Sequence, residues 1–213
     1  MKDFECAIFD LDGTILDSTD LWNKIDRDFF AERNLVLPDD YAKTISPMGF
    51  HGAAVYTVER FGLKESVDEV LQVWHGMAVE RFTNDVELKP FAKEYIKFLK
   101  DRSVKLCIAT ASNRELFEPA LKRNGVLDCF DSITTISEVK RGKGFPDIYL
   151  KAALNANEAV ENCIVFEDIL EGIKGAKLGG FYTVGVFDKQ SAKDKEKIIS
   201  VSDKYITDYS ELM

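Results

Sequence analysis

Four short apolar runs constrain this chain more than any other feature. They are FECAIF at residues 4–9, VKLCIAT at 104–110, NCIVFE at 162–167 and FYTVGVF at 181–187. Near-continuous apolar runs of this length are what strands buried on both faces of a parallel sheet look like. A fifth run, DSITTI at 131–136, is weaker. Helical patterns separate them. Ile96 and Leu99 share one face within 91–100. The segment 147–155 follows Pro146, and 169–178 runs into Gly179 and Gly180, a natural helix end. Strands alternating with helices predict parallel βαβ units and a doubly wound, Rossmann-like α/β sheet.

One connection breaks the rhythm. The stretch from Asp10 to Val104 is far too long for a βα crossover, and it carries helical signals of its own. Leu21, Ile25 and Phe29 repeat at four-residue spacing, and Ser66 and Glu69 have capping-box spacing before Val70, Leu71, Trp74 and Ala78. Residues 17–86 are therefore expected to form an inserted all-helical subdomain, with 1–16 and 87–213 making the core. Asp17 and Ser18 are expected to cap the first inserted helix. Ser112 and Glu115 repeat the capping-box spacing, but Pro119 would then fall inside a helix. The expectation is a short turn over 113–117 and a helix beginning at Pro119.

The totals exclude several classes of function. Lys and Arg number 28 against 37 Asp and Glu, a net charge of -9, which argues against nucleic acid and anionic membrane as partners. No apolar run approaches the roughly 18 residues of a membrane span. The opening MKDFECAIF is short and charged for a secretory leader, so a cytoplasmic monomer is expected. Cys6, Cys107, Cys129 and Cys163 show no C-x-x-C spacing and are expected to be free thiols, without zinc.

In open α/β sheets ligands bind beyond the carboxyl ends of the strands. After the first run come Asp10, Asp12, Gly13 and Thr14, and after the second Thr110, Ala111 and Ser112. A Gly-rich loop, RGKGFPD, carries Lys143 after the weaker run, and NCIVFE ends on Glu167 and Asp168. Four carboxylates and one lysine sum to -3, which repels a phosphate dianion. A divalent cation brings the sum to -1, and one carboxyl proton brings it to zero. All-oxygen donors suit Mg2+, which also accepts substrate phosphate as a ligand. The paired aspartates are tolerable if Asp10 faces the metal while Asp12 holds a proton.

These stretches resemble the four motifs of the haloacid dehalogenase-like superfamily. DLDGTILDS carries the first, the Thr that closes CIAT the second, Lys143 before PDIYLKA the third and FEDILEGIKGAK the fourth. The insertion after the first motif resembles the helical-cap subclass, which includes phosphoglycolate-phosphatase-like and β-phosphoglucomutase-like enzymes. The resemblance implies that Asp10 is a nucleophile forming an aspartyl phosphate and that Asp12 is the general acid and base. It implies that Thr110 holds a phosphoryl oxygen and that Lys143 neutralises the phosphoryl group. Asp10, Asp168 and the Asp12 carbonyl would bind Mg2+, with Glu167 as a further acid. It implies a phosphomonoester hydrolase acting on a small phosphorylated metabolite, such as a sugar phosphate.

Other readings stand beside these. D-x-D-G-T alone is also a turn pattern, and GKG lacks the spacing of a P-loop. Leu11, Ala111 and Ser112, with Trp22 and His51 in the insertion, are candidate substrate contacts. Ser112 could equally cap or turn the chain, and His51, His75 and the two tryptophans could simply pack. A sugar phosphomutase is the alternative reaction. The β-phosphoglucomutases that the chain resembles carry a histidine twelve residues after the nucleophile, where this chain has Trp22, which cannot accept a proton. A non-enzymatic phospho-receiver also combines acids, a Thr and a Lys, but it is about half this length and carries no insertion.

Overall fold

The computed structural model describes residues 3–45 and 48–213, so Met1, Lys2, Ser46 and Pro47 lie outside the description. The chain divides into two compact units, residues 1–19 with 85–213, and residues 20–84.

The larger unit is a six-stranded parallel sheet in the order β3-β2-β1-β4-β5-β6. Its strands are β1 Cys6–Phe9, β2 Lys105–Thr110, β3 Ser132–Thr135, β4 Cys163–Glu167, β5 Tyr182–Val186 and β6 Lys204–Ile206. The pleat sorts β1 into two faces. Cys6 and Ile8 join Cys107, Tyr149, Cys163 and Val165 on one side. Phe9 stacks on Phe166 at 4.5 Å on the other, where Tyr95 and Tyr209 also stack, at 5.4 Å. Both faces are covered, which is why the strands read as unbroken apolar runs. Cys6, Cys107 and Cys163 are buried and Cys129 is half-buried, and none of the four is in a disulfide.

The helices of this unit are α5 Ala92–Lys100, α6 Arg114–Arg123, α7 Asp147–Asn155, α8 Leu170–Leu178 and α9 Lys195–Val201. Helix α7 packs on β1, β2 and β3, and α8 packs on β4 and β5. Contrary to the sequence expectation, α6 starts at Arg114 and carries Pro119 inside it. The proline removes one backbone hydrogen bond. Leu116, Phe117, Ala120 and Leu121 are buried around it, and that burial holds the helix together. Asn113, in extended conformation, takes the N-cap position in place of Ser112.

The smaller unit contains α1 Leu21–Glu32, α2 Tyr41–Ile45, α3 Gly49–Phe61 and α4 Val67–Asn84. Helix α4 packs against both α1 and α3, and α2 packs on α3. Its core is aromatic. Phe30 meets Phe61 at 4.8 Å and Tyr41 at 4.9 Å, while Phe29 meets Trp74 at 5.5 Å. The capping box forms: Ser66 N donates to Glu69 Oε2 at 2.8 Å, and Glu69 N donates to Ser66 Oγ at 3.3 Å. Asp20, not Asp17 or Ser18, occupies the N-cap position of α1.

In the larger unit, the two segments that lead to and from residues 20–84 are tied together. Leu16 bridges Leu88 antiparallel, Asp17 N donates to Glu87 O at 2.9 Å, and Lys89 N donates to Ile15 O at 2.8 Å. Asp188, buried just beyond β5, accepts a bond from Thr19 Oγ1 at 3.0 Å and pairs with Lys89 Nζ at 2.8 Å.

Candidate active site

The strand order reverses between β1 and β4, and in open α/β sheets ligands bind beyond the carboxyl ends of the strands at such a switch point. Asp10 follows β1 and is 4% exposed, and its backbone N donates to Phe166 O at 3.0 Å. Glu167 closes β4, and Asp168 follows it; both are buried. One carboxylate oxygen from each of Asp10, Glu167 and Asp168 lies within 4.8 Å of the other two. The loop after β3 brings Lys143 into this group. Its Nζ pairs with Asp10 Oδ1, and with Glu167 Oε1 at 2.6 Å.

Hydroxyls fix the acids in place. Thr14 Oγ1 donates to Asp168 Oδ1 at 3.1 Å and lies 3.4 Å from Asp10 Oδ2. Tyr149 on α7 donates to Glu167 Oε1 at 2.8 Å. Ser18 Oγ donates to Asp12 Oδ1 at 2.6 Å, so Ser18 orients the second aspartate and does not cap a helix. Thr110 ends β2 fully buried and accepts a bond from Ser112 N at 3.0 Å. Leu11 is fully buried, whereas Ala111 is exposed. Trp22 and His51 belong to the smaller unit. Trp22 is 41% exposed on α1, and His51 is exposed on α3.

Two glycines allow the crowding. Gly13 has φ +82, and a side chain there would press Asp168 Oδ2 at 2.5 Å. Gly175 on α8 lies against the Lys143 loop, and a Cβ would sit 2.0 Å from Lys143 O.

The charges follow from burial. Burial pushes Glu167 up to about 7; Lys143 opposes this and Asp10 adds to it. Burial, then the charges of Asp10 and Glu167, lift Asp168 well above the carboxylate range. Burial, then Asp10, also raise Asp12 against the bond from Ser18. Burial pulls the pKa of Lys143 down, but the charges of Asp10 and Glu167 outweigh it and hold it above that of an ordinary lysine. Several acids here are thus strained toward protonation, with one lysine against them among the described residues. Clustered, buried, hard oxygen donors of this kind fit Mg2+.

Sequence reasoning assigned no role at the site to Thr14 or Tyr149, and gave Ser18 only a helix-capping role. Thr14 and Ser18 stand inside the first motif, which was the available signal. Tyr149 had none, because its bond spans 18 residues and depends on α7 packing against the sheet.

The sequence profile of the haloacid dehalogenase-like hydrolases matches residues 4–180. The chain belongs to that family and is an enzyme of it. It is 30% identical over 186 residues to YhcW of Bacillus subtilis, assigned as a phosphatase, covering 87% of this chain and 84% of the relative. It is 28% identical over 177 residues to the phosphorylated carbohydrates phosphatase of Thermotoga maritima, covering 83% and 82%. The solved structure of a Thermotoga maritima protein assigned as a β-phosphoglucomutase has the same fold, with a TM-score of 0.85 at 24% identity over 95% and 94% of the two chains. Among the described residues, no helix is long and apolar enough to cross a membrane.

Proposed function

We propose that the protein is a Mg2+-dependent phosphomonoester hydrolase acting on a small phosphorylated metabolite in the cytoplasm. The observation that supports this most is the buried cluster of Asp10, Glu167 and Asp168 answered by Lys143. Asp10 and Asp168 would hold Mg2+, together with the Asp12 carbonyl and Glu167. When bound, the ion offsets the carboxylate charge and takes a phosphoryl oxygen as a ligand.

An Asp10 carboxylate oxygen attacks phosphorus in line with the ester oxygen. The P–O bond to the alcohol breaks as the bond to Asp10 forms, and Asp12 gives its proton to the departing oxygen. The raised pKa of Asp12 keeps that proton available. Water then attacks the aspartyl phosphate, Asp12 takes a proton from it, and phosphate leaves with Asp10 restored. Lys143 and the Thr110 hydroxyl hold the transferring oxygens, where positioning and charge supply most of the rate. Ser18 keeps the Asp12 carboxyl aimed. Leu11, Ala111 and Ser112 border this chemistry. Substrate choice is assigned to the inserted unit, with Trp22 and His51 the first positions to test.

Hydrolysis is preferred to mutase chemistry because Trp22 occupies the position of the mutase histidine and cannot carry a proton. The two relatives compared by sequence also carry phosphatase assignments. Phosphate release should be measured with Mg2+ across sugar phosphates, phosphoglycolate, nucleoside monophosphates, flavin mononucleotide and an aryl phosphate. Asp10→Asn should lower turnover at least about a thousandfold with the fold retained, while EDTA should abolish activity and Mg2+ restore it. Near-native turnover in Asp10→Asn, or glucose 6-phosphate accumulating from β-glucose 1-phosphate faster than free phosphate, overturns the reading.

A further inference from the structure

A segment far along the chain bonds to the first motif. Tyr209 opens a short 3-10 turn, Tyr209–Leu212, and is fully buried. Its hydroxyl donates to Thr14 O at 3.1 Å, a bond that spans 195 residues of sequence. Thr14 is fully buried as well, and no backbone N–H among the described residues donates to its carbonyl. The Thr14 hydroxyl is the one that donates to Asp168 Oδ1 and lies 3.4 Å from Asp10 Oδ2. One chain of bonds therefore runs from Tyr209 through Thr14 to two carboxylates of the candidate site.

Ring packing does not call for the Tyr209 hydroxyl. The ring stacks on Tyr95 at 5.4 Å and lies 6.1 Å from Phe166 and 6.4 Å from Phe9. Phenylalanine would keep all three contacts without burying a hydroxyl, which costs stability unless it is paired. Tyr95, in the same stack, gives the contrast: its hydroxyl is buried with no partner among the described residues. Hydrogen bonds hold the segment that carries Tyr209. Asp208 Oδ1 accepts from Ser210 N at 2.8 Å, Glu211 Oε1 accepts from Thr207 N at 2.7 Å, and Tyr209 N donates to Pro90 O at 3.4 Å. Burial, then Tyr95 and the charges of Asp10 and Asp168, raise Tyr209 well above the usual phenol range, so its hydroxyl keeps the proton it donates. Tyr209 stands outside the residues 4–180 that the family's profile matches, so membership assigns it no role.

Thr14 is where a small shift would be felt. Leu11 O accepts bonds from the N–H groups of Thr14, Ile15 and Leu16, which fixes one side of the turn. The Tyr209 hydroxyl fixes the carbonyl side. If Thr14 shifts, its hydroxyl leaves Asp168, and removing groups that orient metal-binding carboxylates typically costs about 10- to 100-fold in metal affinity or turnover.

We propose that Tyr209 is a positioning residue for phosphoryl transfer, holding the Asp10 and Asp168 carboxylates in place through Thr14. The proposal rests on the reading of the site as a Mg2+-dependent phosphatase. Tyr209→Phe should be compared with the wild type and with Tyr95→Phe, in aryl phosphate hydrolysis and, without substrate, in Mg2+ binding by calorimetry. Tyr209→Phe should lower kcat about tenfold and weaken Mg2+ binding about threefold or more, with KM changed less than about twofold. Tyr95→Phe removes a hydroxyl from the same stack and should change neither quantity. Thr14→Val removes the hydroxyl that Tyr209 steers. In that background Tyr209→Phe should cost less than about twofold further, because residues acting through one network are not additive. Wild-type kcat and Mg2+ affinity in Tyr209→Phe, equal losses in Tyr95→Phe, or full additivity with Thr14→Val overturns the proposal. So does a Tyr209→Phe protein that fails to fold, since its hydroxyl would then serve stability alone. A wild-type protein that neither binds Mg2+ nor releases phosphate refutes the phosphatase reading itself and takes this proposal with it.

Discussion

Asp26 and Glu167 are both buried acids raised by burial, and they differ in what answers their charge. Glu167 has Lys143 at 2.6 Å and the Tyr149 hydroxyl at 2.8 Å. Asp26 faces Tyr41, itself pushed up to about 12 chiefly by burial, and has Arg27 as the nearby charge that lowers it. The consequence for stability has a definite sign. The folded value of Asp26, about 6, lies above its unfolded value of about 3.9, so the folded state holds the proton more firmly. The penalty is absent below about pH 4, grows as pH rises, and is complete above about 6. Asp26→Asn keeps the shape and removes the charge. It should stabilise the protein by about 1–2 kcal/mol at pH 8, allowing for solvent screening, and by nothing at pH 4. Urea unfolding of both proteins at the two pH values measures this. A gain that does not change with pH would show that the carboxylate is not buried unpaired.

At the scale of elements, α8 does more than cover β4 and β5. Its Gly175 is the point where the helix accepts the main chain of the Lys143 loop. In an exposed helix interior, Gly→Ala stabilises by about 1 kcal/mol. Here the added Cβ would meet Lys143 O at 2.0 Å and Phe145 O at 2.9 Å, both main-chain atoms that cannot rotate away. Gly175→Ala should therefore destabilise by about 1–3 kcal/mol and cut turnover roughly ten- to a hundredfold by shifting Lys143. Calorimetry and steady-state kinetics test the pair of effects, and a stabilised, fully active variant refutes the packing argument. Elements differ in how far the sequence announced them. β1, β2, β4 and β5 were legible because both sheet faces are covered and their runs are apolar. Helix α7 was legible from Pro146. β6 was not, since Lys204 and Tyr205 at the sheet edge are only half-buried and make no apolar run. The helix through Pro119 was misread because local propensity lost to four buried neighbours. The acids and the lysine of the candidate site stood at strand ends, where sheet topology alone gathers them. Ser18 bonds to Asp12 within the first motif, but a serine there reads equally as a helix cap; Tyr149 bonds across a tertiary contact that no local pattern records.

At the scale of the whole molecule, the question is whether the larger unit needs residues 20–84 in order to fold. A long connection costs little more than a short one, about 0.6 kcal/mol for each doubling of length. A 65-residue insertion is tolerable if its two ends are held close by the host. The larger unit holds them itself through the Leu16–Leu88 bridge, the Asp17–Glu87 and Lys89–Ile15 backbone bonds, and Asp188 between Thr19 and Lys89. The Lys89–Asp188 pair is 10% and 2% exposed at its side chains, so losing one partner leaves a buried charge and costs about 3–5 kcal/mol. Replacing 20–84 by a short Gly/Ser linker should leave a monodisperse α/β protein that unfolds in one cooperative step with its parallel sheet intact. Adding Asp188→Ala to that shortened chain should remove roughly 3 kcal/mol or more of its stability. The same substitution should do so in the full chain, since every tie it breaks lies within the larger unit. Circular dichroism, calorimetry and a dispersed amide spectrum read the outcome. A shortened chain that aggregates or stays molten, while the full chain folds, would show that the larger unit's own ties between the two segments are insufficient.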